Sequence, residues 1–536
     1  MRGSRRELDV ALQPIEGVLP AGLSGHLFVL APVPWGDGSP VFNGDAMALR
    51  VEFDKRSARL KSRLLRDPSQ RLDEQTRDHP LRRFRNRHIA RISPVYGVRN
   101  ELNTAWLTMP TSGRLFATYD AGRPWEVDPV TLEVLAPVGS HAEWKQAFAI
   151  DLPWRFPPVL TGAHPAHDDR TGDTYFANYS LGAVVAGAHV RLLHWTGEGA
   201  LRASRIVDER GRDLRVQSLH QLAITERWVV LADTAFRLEL GRFLSPNHWP
   251  LSRQKPDTTF YFVERERVGR DAVVRASRVV IAREAVHFVA DYACGDGRVT
   301  LHVGHPCASD ASETLRRADR RWPSGARVPP ELEGLPPSPT DVGILGRYEI
   351  DVRSGVVTKA ALSSSDLTWG PALVTPASTD VLDRHEHLWW NTSGLQAETL
   401  VHRLVRAYAR YPHRSVAIDD LAERPPSLLR VDATTGAIAE SYAVPHGVQL
   451  NSPQFISHAF STSVLDGYVV CTAVGAGARR ASRGDELWVF DAGHVTKGPV
   501  CKLGHPDLDF ALTLHTTWLP QRRRPQLAAR QADFRP

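Results

Sequence analysis

The sequence predicts an all-β fold, a β-propeller in which four-stranded blades repeat around an axis. Three observations predict it. Short apolar, β-branched or aromatic runs recur along the 536 residues, while convincing amphipathic helices are few. One hairpin type repeats: WEVDPVTLEV (125–134), HDDRTGDTYF (167–176), YEIDVRSGVV (348–357) and RVDATTGAIA (430–439), each a strand, an Asp, a few turn residues and a second strand. Single histidines also recur just ahead of, or within, apolar runs at intervals of about one blade. About seven blades of roughly 70 residues would fill the length.

In chain order, HLFVLAP, ALRVEFD, RLFATYD, RWVVLAD, TTFYFVE, RVTLHVG, GYVVCTA and ELWVFDA read as strands because they combine β-forming residues with turn signals at both ends. Three stretches break the pattern. Residues 60–100 are charged and interrupted by Pro, 141–160 are rich in aromatics, and 306–343 are rich in Pro, Arg and Asp. They are expected as loops or short helices between strands, and long loops gathered on one face often form a binding site. No linker divides the chain, so residues 1–536 are expected to form a single domain.

Composition bounds the function. The chain is 42% hydrophobic and 24% charged, with a net charge of +6, which is weak for this length. Two basic clusters, LRRFRNR (81–87) and QRRRPQLAAR (521–530), could touch anionic lipid or nucleic acid, but a solvated charged face is the simpler reading, and no nucleic-acid module is present. The four cysteines (Cys294, Cys307, Cys471, Cys501) form no C-x-x-C pair and are expected as reduced, buried thiols. No apolar run follows the basic N-terminus, so cytoplasmic residence is expected.

The stretch GAHPAHDDRTGD (162–173) holds two histidines three apart. DDRTGD is turn chemistry, so both lie near a strand end, and residues three apart on a strand face opposite ways. At most one of His164 and His167 can join a given metal site. His220 in SLHQLAITE, His287 in AVHFVADY and His515 in DFALTLHTTW recur in comparable settings, at intervals of 56, 67 and 228 residues from His164 onward. The closely spaced pairs HVGH (302–305) and RHEH (384–387) lie on no helix that would put both rings on one face, and they are expected to be structural. No H-E-x-x-H, serine-nucleophile, P-loop or dinucleotide fingerprint occurs.

These segments together resemble the carotenoid cleavage oxygenases, a family that includes apocarotenoid- and stilbenoid-cleaving dioxygenases and a retinoid isomerohydrolase. FNGDAM (42–47) is similar to the family's F-(D/N)-G-D-G-M signature, with Ala46 where Gly is usual. FRNRHIARISPVYGVRNELNTAWL (84–107) is similar to its Arg-Asn and Asn-Thr segments, and AHPAHDDRTGD, SLHQLAITE, VHFVADY and TLHTTW are each similar to a segment that carries one iron ligand. The resemblance implies a seven-bladed propeller with a loop or helical cap over an axial metal site. It implies Fe(II) on His164, His220, His287 and His515, and it leaves His167 out. Imidazole suits Fe(II), and four neutral ligands leave open positions and the full ionic charge.

The family typically orients its histidines with three glutamates, and here the chain departs. Asp120, in RLFATYDAGRPWEVDP, stands at the first position; PALVTPAST offers Val374 or Thr375 at the second; Ser452, in NSPQFISHAF, stands at the third, with Asn451 as a substitute partner.

The resemblance further implies an Fe(II)-dependent dioxygenase that splits a conjugated C=C bond of a carotenoid or apocarotenoid into carbonyl products. Apart from the metal ligands, no residue need act as acid or base. Substrate partners are then O2 and an apolar conjugated molecule, with no nucleic acid. A stilbenoid or phenylpropene substrate is the first alternative; it would call for Tyr and Lys near the iron, and Lys145 is the one lysine in an aromatic context. A retinoid-type isomerase, or a non-catalytic propeller that binds an apolar ligand, follows behind. Trp144, Phe148, Ile150, Leu152, Trp154 and Phe156 are expected either to form an apolar patch that contacts a membrane peripherally or to line a tunnel under the cap.

Overall fold

The computed structural model describes residues 3–36, 39–87, 90–148, 152–180, 188–237, 251, 253–378, 382–458, 463–475 and 484–521. The chain is built from antiparallel four-stranded meanders, as the hairpin repeat predicts. Three stand as separate sheets, and further meanders join at their outer strands into two nine-stranded sheets. One nine-stranded sheet carries the closure. The C-terminal strand Thr516–Leu519 pairs with Gly25–Val33, and Asp9–Gly17 lies between Ser57–Leu64 and Pro499–Gly504. Strands near both ends of the described chain are therefore hydrogen-bonded into one sheet.

The repeated hairpins form because each Asp accepts from the backbone of its own turn. Asp128 Oδ1 accepts from Val130 and Thr131, Asp168 Oδ1 from Arg170, Asp351 Oδ1 from Arg353 and Ser354, and Asp432 Oδ1 from Thr434 and Thr435. In three of the four turns a glycine (Gly172, Gly355, Gly436) takes the positive φ that closes the turn, at 76°, 70° and 80°. Alternation then sends one face of each strand into the space between neighbouring meanders. Ala177, Leu192 and Ile206 of one pack against Val229, Val263 and Val274 of the next. Each such burial contributes on the order of 1.5–3 kcal/mol for the larger aliphatic side chains.

The insert at 60–100 is more ordered than expected. Its first residues complete the strand Ser57–Leu64, and Asp67 caps the helix Pro68–Thr76 by accepting from Gln70 N–H at 2.9 Å. A small sheet of Arg85–Arg87, Ala90–Ser93 and Gly97–Val98 follows. It is invisible to pattern reading because its polar strands show no apolar alternation. Residues 306–343 hold one short 3-10 turn, Pro330–Leu332, and are otherwise loop, as predicted, up to residue 343. Among the described residues no helix is long and apolar enough to cross a membrane.

Candidate metal centre

Each of the four histidines precedes the first, innermost strand of its meander. His164 stands before Ala166–Asp168, His220 before Leu222–Ile224, His287 before Phe288–Ala290 and His515 before Thr516–Leu519. That shared placement gathers residues up to 351 positions apart into one cluster, whose ligand nitrogens all lie within 4.8 Å of one another. Among the described residues it is the one such group.

The backbone holds the cluster tightly. His164 N–H donates to the His220 carbonyl at 3.0 Å, and Leu222 N–H donates to the His164 carbonyl at 3.0 Å. Gly162 makes this approach possible, since a Cβ there would stand 2.6 Å from the Leu219 carbonyl oxygen. Gln221 extends the link to the next meander: its amide donates to the Phe288 carbonyl at 2.6 Å and accepts from Phe288 N–H at 3.2 Å. His515 is fixed between Leu30 and Thr104 through its own backbone.

His164 is not on a continuous strand with His167. Pro165 interrupts the inner strand, and His164 makes a single bridge to Gln221. His167 turns away and bonds Thr174 Oγ1 at 2.8 Å through Nδ1. The short-spaced pairs are structural, as expected: His302 meets Asp291, His305 meets Tyr348 and the Glu284 carbonyl, and His385 meets the Ala290 carbonyl.

Two of the rings have fixed tautomers. His220 Nδ1 lies 2.8 Å from Asp120 Oδ1, and His287 Nδ1 lies 2.7 Å from the Ala372 carbonyl. A carbonyl oxygen only accepts, and so does an ionised carboxylate, so each Nδ1 carries the proton and each Nε2 presents a bare lone pair. Those two Nε2 atoms face each other at 3.3 Å. His164 Nε2 is likewise buried without a hydrogen-bond partner among the described residues. Protonation does not relieve the crowding. Burial, reinforced by the neighbouring imidazoles, holds His164 and His515 well below the ordinary histidine range, and burial with His220 nearby pushes His287 down to about 3. Burial thus disfavours a proton on His164, His287 and His515, and ligand nitrogens of all four rings converge within 4.8 Å.

The expected orienting residues divide. Asp120 reaches His220, as described. Val374 and Thr375 do not serve His287; the backbone of Ala372, two residues earlier, does. Thr375 Oγ1 accepts from Phe455 N–H instead. Ser452 Oγ donates to the Leu514 carbonyl and not to a ring. Asn451 Nδ2 is buried without an acceptor among the described residues, and its carbonyl accepts from Thr472 Oγ1 at 3.2 Å. The correction at His287 has a physical cause: a strand carbonyl can replace a side chain, and residue type does not reveal it. Phe236, missed at the sequence level, stacks on His220 at 5.9 Å and closes one side of the site.

The aromatic stretch also divides. Trp144 is core: it packs edge-on against Phe176 at 5.8 Å and donates to the Val138 carbonyl. Phe156 is buried against Phe84 at 6.4 Å. Neither is available to a membrane. Leu152 is half-buried, Ile150 lies outside the described residues, and Lys145 is exposed. Phe148 and Trp154 line an apolar cavity of about 460 Å³ with Leu81, Ile92, Val98 and Leu160. Through Ala121 this cavity reaches the segment that carries Asp120.

Residues 1–520 match the family described as retinal pigment epithelial membrane protein, RPE65. Among curated proteins, a resveratrol cleavage oxygenase of Chaetomium globosum is 29% identical over 42% of this chain and 36% of its own. A carotenoid cleavage oxygenase of Neurospora crassa is 25% identical over 33% and 32%. The matched region thus spans about a third of the length of these relatives. Among solved structures, Pseudomonas brassicacearum lignostilbene dioxygenase superposes with a TM-score of 0.64 at 19% identity, covering 97% of both chains, and shares the propeller fold.

Proposed function

Because the chain belongs to the RPE65 family of carotenoid oxygenases, we propose that it is an Fe(II)-dependent dioxygenase. Its single propeller domain would cleave a conjugated C=C bond of an apolar carotenoid or apocarotenoid with O2 into two carbonyl fragments. One observation carries the metal: the Nε2 atoms of His220 and His287 meet at 3.3 Å while both Nδ1 atoms are hydrogen-bonded outward, in a cluster whose four ligand nitrogens lie within 4.8 Å of one another. With metal–imidazole bonds of about 2.1 Å, neighbouring ligands of an octahedral ion lie about 3.0 Å apart and opposite ones about 4.2 Å. The cluster, all within 4.8 Å, accommodates that spacing. An all-imidazole donor set suits Fe(II).

His164, His220, His287 and His515 would hold the ion, which when bound supplies a site for activating dioxygen. The chain's own residues do the remaining work. Asp120 keeps the His220 proton on Nδ1, and the Ala372 carbonyl does the same for His287, so both rings present Nε2 inward. Phe236 packs on His220, and the apolar cavity, which reaches Ala121 next to Asp120, would hold a flat conjugated chain away from water. No side chain need accept or donate a proton to the substrate.

A stilbenoid substrate is the second reading, favoured by the resveratrol cleavage oxygenase relative. The exposed position of Lys145 gives that reading no phenol-binding lysine at the site. The test is iron stoichiometry by elemental analysis after anaerobic Fe(II) loading, followed by aldehyde detection and oxygen uptake with apocarotenoid and stilbene panels. About one iron per chain with paired aldehyde products is expected. Iron without oxygen uptake, with an isomerised product, would favour the isomerase. No retained iron would leave a ligand-binding propeller.

A further inference from the structure

The 66–101 insert and the N-terminal segment carry a cluster of arginines and carboxylates around Trp35. The guanidiniums of Arg91, Arg77, Arg5 and Arg99 lie 4.4, 4.5, 4.9 and 5.4 Å from its ring centroid. The carboxylates are all committed. Asp45 pairs with Arg5 and Arg99, Asp73 with Arg91 and Arg99, Glu74 with Arg5, and Glu101 with Arg99. Arg77, Arg83 and Arg85 have no carboxylate partner among the described residues; Arg85 donates to the Pro80 carbonyl at 2.9 Å. Yet these three, exposed on its rim, line one pocket of about 310 Å³ with Trp35, Arg91 and a single carboxylate, Asp73, which Arg91 and Arg99 already pair. The Trp35 indole N–H is buried there without an acceptor among the described residues. A concave pocket with this unbalanced positive charge and spare donors is built for an oxyanion.

The pocket does not stand alone. Arg85 lines both it and the apolar cavity of about 460 Å³ that reaches Ala121, and Phe84 and Arg85 carry the chain between them. An apolar space that ends in arginines matches one ligand shape: a conjugated hydrocarbon body with an acidic end. We propose that the two cavities take a single elongated ligand, its conjugated body beside Ala121 and its terminal carboxylate held by Arg77, Arg83 and Arg85. The inference deepens the oxygenase reading and rests on it for the ligand's body. It narrows the substrate class to conjugated molecules bearing a terminal acid. It also gives the basic run at 81–87 a role, through Arg83 and Arg85.

Equilibrium binding tests it without turnover. The iron-loaded protein is titrated anaerobically with all-trans-retinoate and with its methyl ester, a neutral molecule of nearly the same shape, and tryptophan quenching is followed. Retinoate is expected to bind roughly tenfold more tightly than the ester, the order expected of added charge-assisted hydrogen bonds. The preference should shrink in high salt and vanish in the double variant R77Q/R83Q, with ester affinity retained as the control for folding. Inorganic phosphate should weaken retinoate binding and leave the ester untouched. Equal affinity for acid and ester, or a preference that survives R77Q/R83Q, overturns the carboxylate site while leaving the oxygenase reading intact. Phosphate binding with no acid preference also overturns it, since the pocket would then serve a free phosphate or a lipid headgroup. If neither retinoid binds, this inference fails together with the apolar-substrate reading it rests on.

Discussion

Two buried polar clusters, one on the axis and one in the insert, solve the problem of burial in opposite ways. In the insert, burial alone would raise the pKa of Asp45, but Arg99 and Arg5 outweigh it and hold the carboxyl below its ordinary value. Around the buried Arg99 charge is met by charge: Arg99, 1% exposed, ties Asp45, Asp73 and Glu101 together, and the unpaired arginines lie on the exposed rim. On the axis the Nδ1 atoms of His220 and His287 find partners but their Nε2 atoms do not: burial holds His164, His287 and His515 below the ordinary histidine range, and two nitrogen lone pairs face each other at 3.3 Å. A buried cluster whose hydrogen bonds and charges close on themselves holds the fold together. One that leaves acceptors without a donor awaits a cation.

The strongest way to break this contrast is to empty each cluster. His287→Ala should abolish iron retention, from about one per chain to under a tenth, while shifting the stability of the iron-free protein by only about 1 kcal/mol. Elemental analysis and urea denaturation read the two effects on the same sample. Arg99→Ala should do the reverse. It leaves Asp45 and Asp73 short of a buried partner and should cost about 3–5 kcal/mol, with iron per folded chain retained. If Arg99→Ala lost iron without losing stability, the division between the clusters would be wrong.

Glu284 sharpens the contrast because it is buried without a salt-bridge partner among the described residues. Burial pushes its carboxyl up to about 7, although Tyr411 and backbone N–H groups donate to it. A carboxyl whose folded value lies above its unfolded value of about 4.5 binds its proton more tightly when folded. Stability should therefore fall as pH rises from about 4.5 to 7, by roughly 3 kcal/mol at most, and level off above. Glu284→Gln should remove that slope, measured as urea midpoints across pH. An unchanged slope would show that Glu284 does not carry it.

Smaller effects are expected around the rings. Asp120→Asn should weaken metal affinity about 10–100-fold by loosening the tautomer and orientation of His220. Chelator competition measures this, and unchanged affinity would mean that the packing of Phe236 suffices. Ser452 holds a positive φ of 54° while its hydroxyl bonds the Leu514 carbonyl. Ser452→Gly removes the strain and the bond together, each worth about 1 kcal/mol, so net stability should change by less than about 1 kcal/mol. A larger loss would mark the hydroxyl as important to the placement of His515.

The sequence by itself determined the strands and the repeated Asp-closed hairpins, and its resemblance to a known family pointed to the four histidines and to Asp120. The strands and hairpins depend on local chemistry, side-chain alternation and a turn aspartate. Only the tertiary structure decided the partner of His287, because the Ala372 carbonyl carries no mark in the identity of its residue. Only it showed that the Ser452 hydroxyl bonds elsewhere and that the Asn451 amide finds no acceptor among the described residues, that Trp144 and Phe156 belong to the core while Trp154 and Phe148 line a cavity, and that the basic run at 81–87 helps frame a pocket. Those outcomes depend on which surfaces meet across meanders and inserts far apart in the chain. Backbone groups and long-range packing settle that, and neither leaves a periodic signal in the sequence.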